Sequence, residues 1–271
     1  MSTALLRFKN LTAGCLIVCG LLLLGLLAPV IAPHNPYQQD LSATFQAPSA
    51  HHWFGTDDFG RDVFSRVLFG ARLSLLEISF SVALAVLLGV TLGLIAGYWG
   101  GLADQGIMWL MDLLYAFPGI VLMILLVATL GVGLLNSLIA IALFSVPVYC
   151  RLTRNLTVTL KRMEFVEAAQ SMGAGSWRIL IHHILRNAFA PLLIQATVSA
   201  GETILTASGL SFLGLGAQPP SAEWGTMLSE GRRFLGMSTH LSFFPGLAIT
   251  IAAIGFNLLG DGLRDRLDPK F

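Results

Sequence analysis

Residues 113–150 contain no charged side chain over 38 consecutive positions. A helix rises about 1.5 Å per residue, so this run would extend about 57 Å, nearly twice the roughly 30 Å hydrocarbon core of a bilayer. It is too long for one span. Gly131-Val132-Gly133 and Asn136-Ser137 lie near its middle and favour a turn, which predicts two spans joined tightly. Four more runs have the length of a span: residues 11–32, residues 78–103, residues 188–215 interrupted by Glu202, and residues 241–260. The expected total is six transmembrane helices in an all-α, polytopic membrane fold. Composition agrees, with 55% hydrophobic and only 11% charged residues, against about 25% charged in soluble domains.

A cleaved signal peptide needs an apolar stretch of only about 7–15 residues, so the first run is expected to remain as a span. The expected organisation is an N-terminal segment 1–10, a first transmembrane helix 11–32, an external segment 33–73, a five-helix core 74–262 and a tail 263–271. The core would carry a cytoplasmic loop 151–187 and an external loop 213–241. With the N-terminus inside, eleven basic residues fall on the cytoplasmic side: Arg7, Lys9, Arg151, Arg154, Lys161, Arg162, Arg178, Arg186, Arg264, Arg266 and Lys270. Arg61, Arg66, Arg72, Arg232 and Arg233 fall outside. The positive-inside bias therefore predicts that both termini are cytoplasmic.

Residues 164–189, EFVEAAQSMGAGSWRILIHHILRNAF, are too structured for a plain connector. Residues 163–172 read as a short helix that Gly173 stops by taking a left-handed conformation. Ser176 is expected to cap the next helix. There Trp177, Leu180, Ile181, Ile184, Leu185 and Ala188 form one stripe at helical spacing. Two helices about a glycine hinge, lying on the membrane face, offer a docking surface to another protein. His182 and His183 are adjacent, so they point to different faces and make no metal site by themselves. Cys15, Cys19 and Cys150 are isolated, and no CxxC spacing points to a structural metal.

Glu167-Ala168-Ala169, with Gly173 six residues after the glutamate, resembles the EAA loop of bacterial ABC importer permeases. The resemblance implies that this helix docks into a cleft of a cytoplasmic ATPase, and it assigns Glu164, Phe165, Glu167, Ala168, Ala169, Met172 and Gly173 to that contact. Alanines permit close approach, and the glutamate can accept a charge-assisted hydrogen bond. Arg186 departs from the family pattern, in which proline commonly follows the Ile184-Leu185 pair.

Further stretches narrow the resemblance. They are residues 51–66, HHWFGTDDFGRDVFSR; Gly70-Ala71-Arg72-Leu73-Ser74; residues 210–216, LSFLGLG; Pro219-Pro220; Glu223-Trp224-Gly225; and residues 260–269, GDGLRDRLDP. Together they are similar to the C-type permease subunit of dipeptide, oligopeptide and nickel importers, from about residue 29 to the end. The resemblance implies a type I ABC importer permease fold in the bacterial inner membrane. It implies four partners besides lipid: a B-type permease, two ABC ATPases that hold ATP and Mg, and an extracytoplasmic binding protein. Transport would proceed by alternating access, with short peptides, nickel or a metal chelate as cargo.

Several polar positions need a reason within so apolar a chain. Asp57, Asp58, Arg61 and Asp62 either pair among themselves to fold the outer segment or form a dock for the external binding protein. Gly89, Gly93 and Gly97 recur every four residues, a spacing that lets helices approach closely in lipid. Glu77 and Asp112 lie near span ends, within reach of the interface. Glu202 is deeper, on a segment with Thr203, Thr206 and Ser208. A charge there is costly, so this face is expected to point into the bundle, with Glu202 and Thr206 lining a path or meeting a neighbouring subunit. No metal ligand set is expected.

The sequence contains no G-x-x-x-x-G-K-[ST] phosphate loop, no H-E-x-x-H helix and no evident hydrolytic set. The chain is therefore expected to be no enzyme by itself, to bind no cofactor and to have no nucleic-acid partner. The rival class is a stand-alone secondary transporter or channel, which would need an ion-coupling set or an inverted repeat with broken helices. Pro29, Pro118, Pro147 and Pro245 are candidate breaks, but no repeat pairs them. A third class is a membrane scaffold that recruits a partner without transport.

Overall fold

Lipid offers no partner to backbone amides, so a chain this apolar must satisfy them within helices or a closed barrel. The computed structural model describes residues 2–267, with side chains from Lys9 onward, and its architecture is helical. The Arg7 side chain, Asp268, Pro269 and Lys270 lie outside the described residues. Helix α1 covers Ser2–Ile31, α2 Val63–Trp99, α5 Leu134–Leu160, α8 Arg186–Phe212 and α10 His240–Leu267. The short α7, Ser176–Arg178, leads through a π-helical stretch, Ile179–Leu185, into α8, making one continuous run Ser176–Phe212. Among the described residues five helices are long and apolar enough to span a membrane, or six if a bent pair counts as one span.

That pair, α3 Gly101–Tyr115 and α4 Gly119–Leu130, corrects the sequence reading of the third span. The pair starts at the Gly100-Gly101 turn, where both glycines have positive φ, and it bends by 95° at its break. Pro118 lacks a backbone N–H and disfavours helical geometry in Phe117 before it. Pro118 itself is extended, with ψ 130°, and starts α4 anew. Pro29, Pro147, Pro191 and Pro245 are carried inside continuous helices.

Helix α5 continues to Leu160, ten residues beyond its uncharged run. Arg151 and Arg154 thus belong to this helix rather than to the loop expected at 151–187, which is reduced to residues 161–175. Arg154 pairs with Asp104 at 2.5 Å and Arg151 with Asp112 at 2.7 Å, joining α5 to α3. Asp112 is exposed in the first arm of the bent span.

Helix α2 is the centre of the bundle and packs most extensively on α5, while α1 lies along α10 and α10 along α8. Gly89, Gly93 and Gly97 all face α5. A Cβ on Gly89 would lie 2.5 Å from Tyr149 Cβ, and one on Gly97 would lie 2.7 Å from Thr157 Cβ. The three glycines thus form a seam between two helices of the same chain.

Two segments, termed outer after the side expected for them, fold onto each other at one end of the bundle. The first, residues 32–62, has a short 3-10 turn, Leu41–Ala43, and an isolated antiparallel bridge between Thr56 and Asp62. The second holds α9, Trp224–Gly231, a helix that the sequence reading did not include. Trp224 is buried, donates from Nε1 to the Val67 carbonyl at 2.9 Å, and fits against Gly70, where a Cβ would lie 2.5 Å from the indole. Phe54 stacks on Phe244 at 3.7 Å between ring centres, and Phe45 meets Phe234 edge-on at 4.8 Å.

Candidate functional site

The loop expected on the cytoplasmic side is built around α6, Glu164–Ser171. Val166 and Ala169 are buried, and Val166 packs with Tyr98 of α2 and with Ile179, Leu180 and Ile184 of the π-helical stretch. The opposite surface is free: Glu164, Phe165, Glu167, Ala168 and Met172 are exposed, Met172 to 82%. Ala169 was grouped with the docking residues in the sequence reading; the structure corrects this, because its side chain faces its own chain. Ser176 is likewise corrected as a cap: it is the first helical residue, with Gly175 in the cap position and no side-chain cap bond.

The end of α6 is sharply defined. Gly173 has φ +82° and donates to the Gln170 carbonyl at 2.9 Å, while Ala174 donates to the Ala169 carbonyl at 3.0 Å. These two bonds make a Schellman motif, which satisfies carbonyls a helix end leaves orphaned. Of the expected stripe, Leu180, Ile184 and Ala188 are buried, whereas Trp177 and Ile181 are exposed. Arg186 is helical, and the run passes through it without a break.

In the outer segments and the start of α2, Asp57, Arg61 and Asp62 are buried. Arg61 Nε donates to Asp57 at 2.6 Å, and both Arg61 and Arg66 reach Glu230 at 3.3 Å. Arg66 also contacts the carbonyls of Pro36, Pro220 and Ser221 at 3.4 Å. Asp62 caps α2 by accepting from Ser65 N at 2.8 Å. Of the two alternatives for Asp57, Arg61 and Asp62, the geometry fits local pairing and not a dock, because side chains sealed inside the outer fold have no surface to present. Asp58 alone of the four is partly exposed.

Burial raises the Glu230 carboxyl above its ordinary range against the pull of Arg66 and Arg61. Burial also raises Glu223, against the hydrogen bonds it accepts from Gly225 and Thr226 at 2.7 Å. Glu77 was expected to reach the interface; instead it is buried, its Oε1 has no hydrogen-bond partner, and it lies within Coulombic reach of Glu223.

The expected polar face of α8 is split. Thr203 and Ser208 are buried, but Glu202 is exposed and Thr206 half-exposed, its hydroxyl turned onto the Glu202 carbonyl at 2.9 Å. Glu202 thus points out of this chain's own bundle, not into it. Tyr115 and Tyr149 lie within Coulombic reach of it, and the Arg151 guanidinium sits over the Tyr115 ring at 4.6 Å. The elbow of the bent span therefore brings charges of both signs to one side of the bundle.

Sequence reasoning missed one cluster. His34, His52 and Asp62 each offer a ligand atom, all within 4.8 Å of one another, where no metal ligand set was expected. No short spacing connects these residues along the chain.

Residues 89–271 match the family described as binding-protein-dependent transport system inner membrane component. Residues 4–48 match the N-terminal transmembrane domain of oligopeptide transport permease C. The chain is 47% identical over 262 residues to a dipeptide transport system permease protein of Alkalihalophilus pseudofirmus, covering 97% of this chain and 86% of that relative. It is 46% identical over 266 residues to a glutathione transport system permease protein of Pectobacterium atrosepticum, covering 98% and 88%. Among solved structures, an inward-facing form of the MetNI methionine ABC transporter matches 73% of this chain and 94% of its own, with a TM-score of 0.56 and 17% identity. That likeness is one of fold.

Proposed function

Because the chain belongs to the binding-protein-dependent transport system inner membrane component family, we propose that it forms half of the translocation path of an ATP-driven importer for short peptides. The other half is a B-type permease, and two separate ABC ATPases hold ATP and Mg. An extracytoplasmic binding protein delivers cargo to the outer face, and both termini are cytoplasmic. Nickel and metal chelates are less favoured, because the relatives named above carry peptide names and the bundle interior holds no cluster of metal ligands among the described residues.

The observation that carries this reading is the two-faced helix α6. Val166 and Ala169 fasten it to the chain, while Glu164, Phe165, Glu167, Ala168 and Met172 stand free on the side that an ATPase cleft would cover. ATP binding closes the ATPase pair and moves α6. Its contacts with Tyr98 and the π-helical stretch pass the motion to α2 and α8, which turns the path from inward- to outward-facing. Hydrolysis resets it.

A charge facing lipid is costly, so the outward Glu202 faces the partner permease across a polar path. A short peptide carries an ammonium, which Glu202 complements in sign; Arg151 complements the carboxylate only by exchanging its pairing with Asp112. Thr206 lines the same strip.

The test is recovery of the tagged chain from its native membrane in mild detergent, with co-purifying proteins identified by mass. Two ATPases and a second permease are expected with the wild type. Glu167→Arg is expected to lose the ATPases and peptide uptake while leaving thermal unfolding unchanged. A chain that comes down alone and still transports after this substitution would refute the reading and favour a stand-alone carrier.

A further inference from the structure

We propose that His34, His52 and Asp62 form a site on the outer face for one divalent transition-metal ion of borderline softness, represented by zinc. The site lies outside the membrane spans. His34 follows the end of α1 at Ile31, His52 belongs to the outer segment, and Asp62 is the cap residue of α2.

Without an ion the cluster is electrostatically incomplete. Asp62 Oδ1 lies 2.9 Å from His52 Nδ1, and Oδ2 accepts from Ser65 N at 2.8 Å and Ser65 Oγ at 2.6 Å. His34 Nδ1 is buried, 3.8 Å from Asp62 Oδ2, and has no hydrogen-bond partner. If that nitrogen is bare, its lone pair faces a carboxylate oxygen. If it carries a proton, it is a donor without an acceptor in reach. A cation between the two imidazoles and the carboxylate resolves either case.

The donor set and geometry suit zinc. Imidazole and carboxylate ligands bind it at about 2.0–2.2 Å, which places tetrahedral donors about 3.3 Å apart. The present donors, all within 4.8 Å of one another, need only small side-chain adjustments to reach that spacing. The two rings lie 4.7 Å apart, tilted by 33°. The bonds from Ser65 fix the carboxylate, as outer groups do for metal ligands. Arg61 and Arg66 pair with Asp57 and Glu230, which leaves the charge of Asp62 to the ion. The Asp62 side chain is 1% exposed and that of His34 38%, so an ion reaches the site from the His34 side, where water would take the fourth position. Bound there, it ties the exit of α1 to the entry of α2.

The test uses the full chain in lipid nanodiscs, carrying a tag without histidine, stripped with chelator and equilibrated with zinc chloride. One zinc per chain is expected by elemental analysis, with an X-ray absorption spectrum showing imidazole nitrogen and oxygen ligands. Zinc is expected to raise the unfolding temperature of the wild type. His34→Ala and His52→Gln are each expected to lose the bound zinc and the shift, while their metal-free unfolding temperatures stay with the wild type. Gln at position 52 keeps a donor toward Asp62, so the second variant guards against a general loss of fold. Failure of the wild type to retain zinc would overturn the proposal. So would equal retention by both variants, which marks surface binding elsewhere. A thermal shift produced by acidification but never by zinc would assign the site to a proton instead.

Discussion

Replacing Gly93 with alanine places a methyl carbon 2.5 Å from the Cys150 carbonyl oxygen and 2.6 Å from Thr153 Cβ. Favourable contact between carbon atoms lies at about 3.5–4.0 Å, so the shortfall is about 1 Å. Neither neighbour can rotate away, since one is backbone and the other is fixed to it. The α2–α5 seam must therefore part, and overpacking of this kind costs about 1–3 kcal/mol. Gly106→Ala is the control, because a Cβ there meets nothing within 4 Å. Equilibrium unfolding in mixed micelles, titrated with dodecyl sulfate, reads the difference. Gly93→Ala is expected to unfold at lower denaturant, and Gly106→Ala at or above the wild-type midpoint. Equal midpoints for the two variants would refute the claim that the glycine seam sets the helix spacing.

Other perturbations probe the two ends of the bundle. Trp224→Ala removes a buried indole and its bond to Val67, with an expected loss of about 3–5 kcal/mol and faster proteolysis of the outer segments. Glu230→Gln takes a carboxylate from two buried guanidinium groups and is expected to destabilise by up to about 3–5 kcal/mol in the same unfolding assay. Gly173→Val forces a left-handed conformation on a β-branched residue, costing at least about 1–2 kcal/mol, and is expected to lower ATPase recovery in the pull-down. The raised Glu223 carboxyl sets a pH dependence. Its folded state holds a proton more tightly than the unfolded chain, so its contribution is full below the ordinary carboxylate range and is lost as pH rises through the raised value. Hydrogen exchange of residues 217–231 is expected to be slower, after correction for intrinsic rates, near about pH 5 than near about pH 8, and Glu223→Gln is expected to flatten that difference.

The spans were legible because the absence of charge over a fixed length is a local property, and lipid leaves few alternatives for the backbone. The stop at Gly173 was legible for the same reason: one residue supplies the conformation and its neighbours supply the bonds. The elbow at Pro118 was not. Pro29, Pro147, Pro191 and Pro245 look similar in sequence yet stay within helices, so packing decides which proline breaks its span. The outer ion lattice depends on partners far apart, with Arg61 and Glu230 separated by 169 positions. The pairing of Arg61 with Asp57 is local and was readable as one alternative, but the meeting of Arg61 and Arg66 with Glu230 needs the folded second segment. Glu202 was readable as an expensive charge but not by direction, since the facing of a helix is set by neighbours on its other sides. Ala169 shows the same limit within a single motif, where one residue of the motif turns inward while its neighbours stay outside.

The fastening of α6 has a mechanical consequence. Val166 is wedged between Tyr98 at the foot of α2 and Ile179, Leu180 and Ile184 at the foot of the α8 run. A load on α6 is therefore shared at once by two long struts rather than absorbed by a flexible tether. Close-packed side chains have low compressibility, so under the proposed coupling little of a stroke on α6 would be lost in the joint. The π-helical stretch Ile179–Leu185 supplies three of those contacts itself, so the wider-wound part of the strut is the part that holds α6.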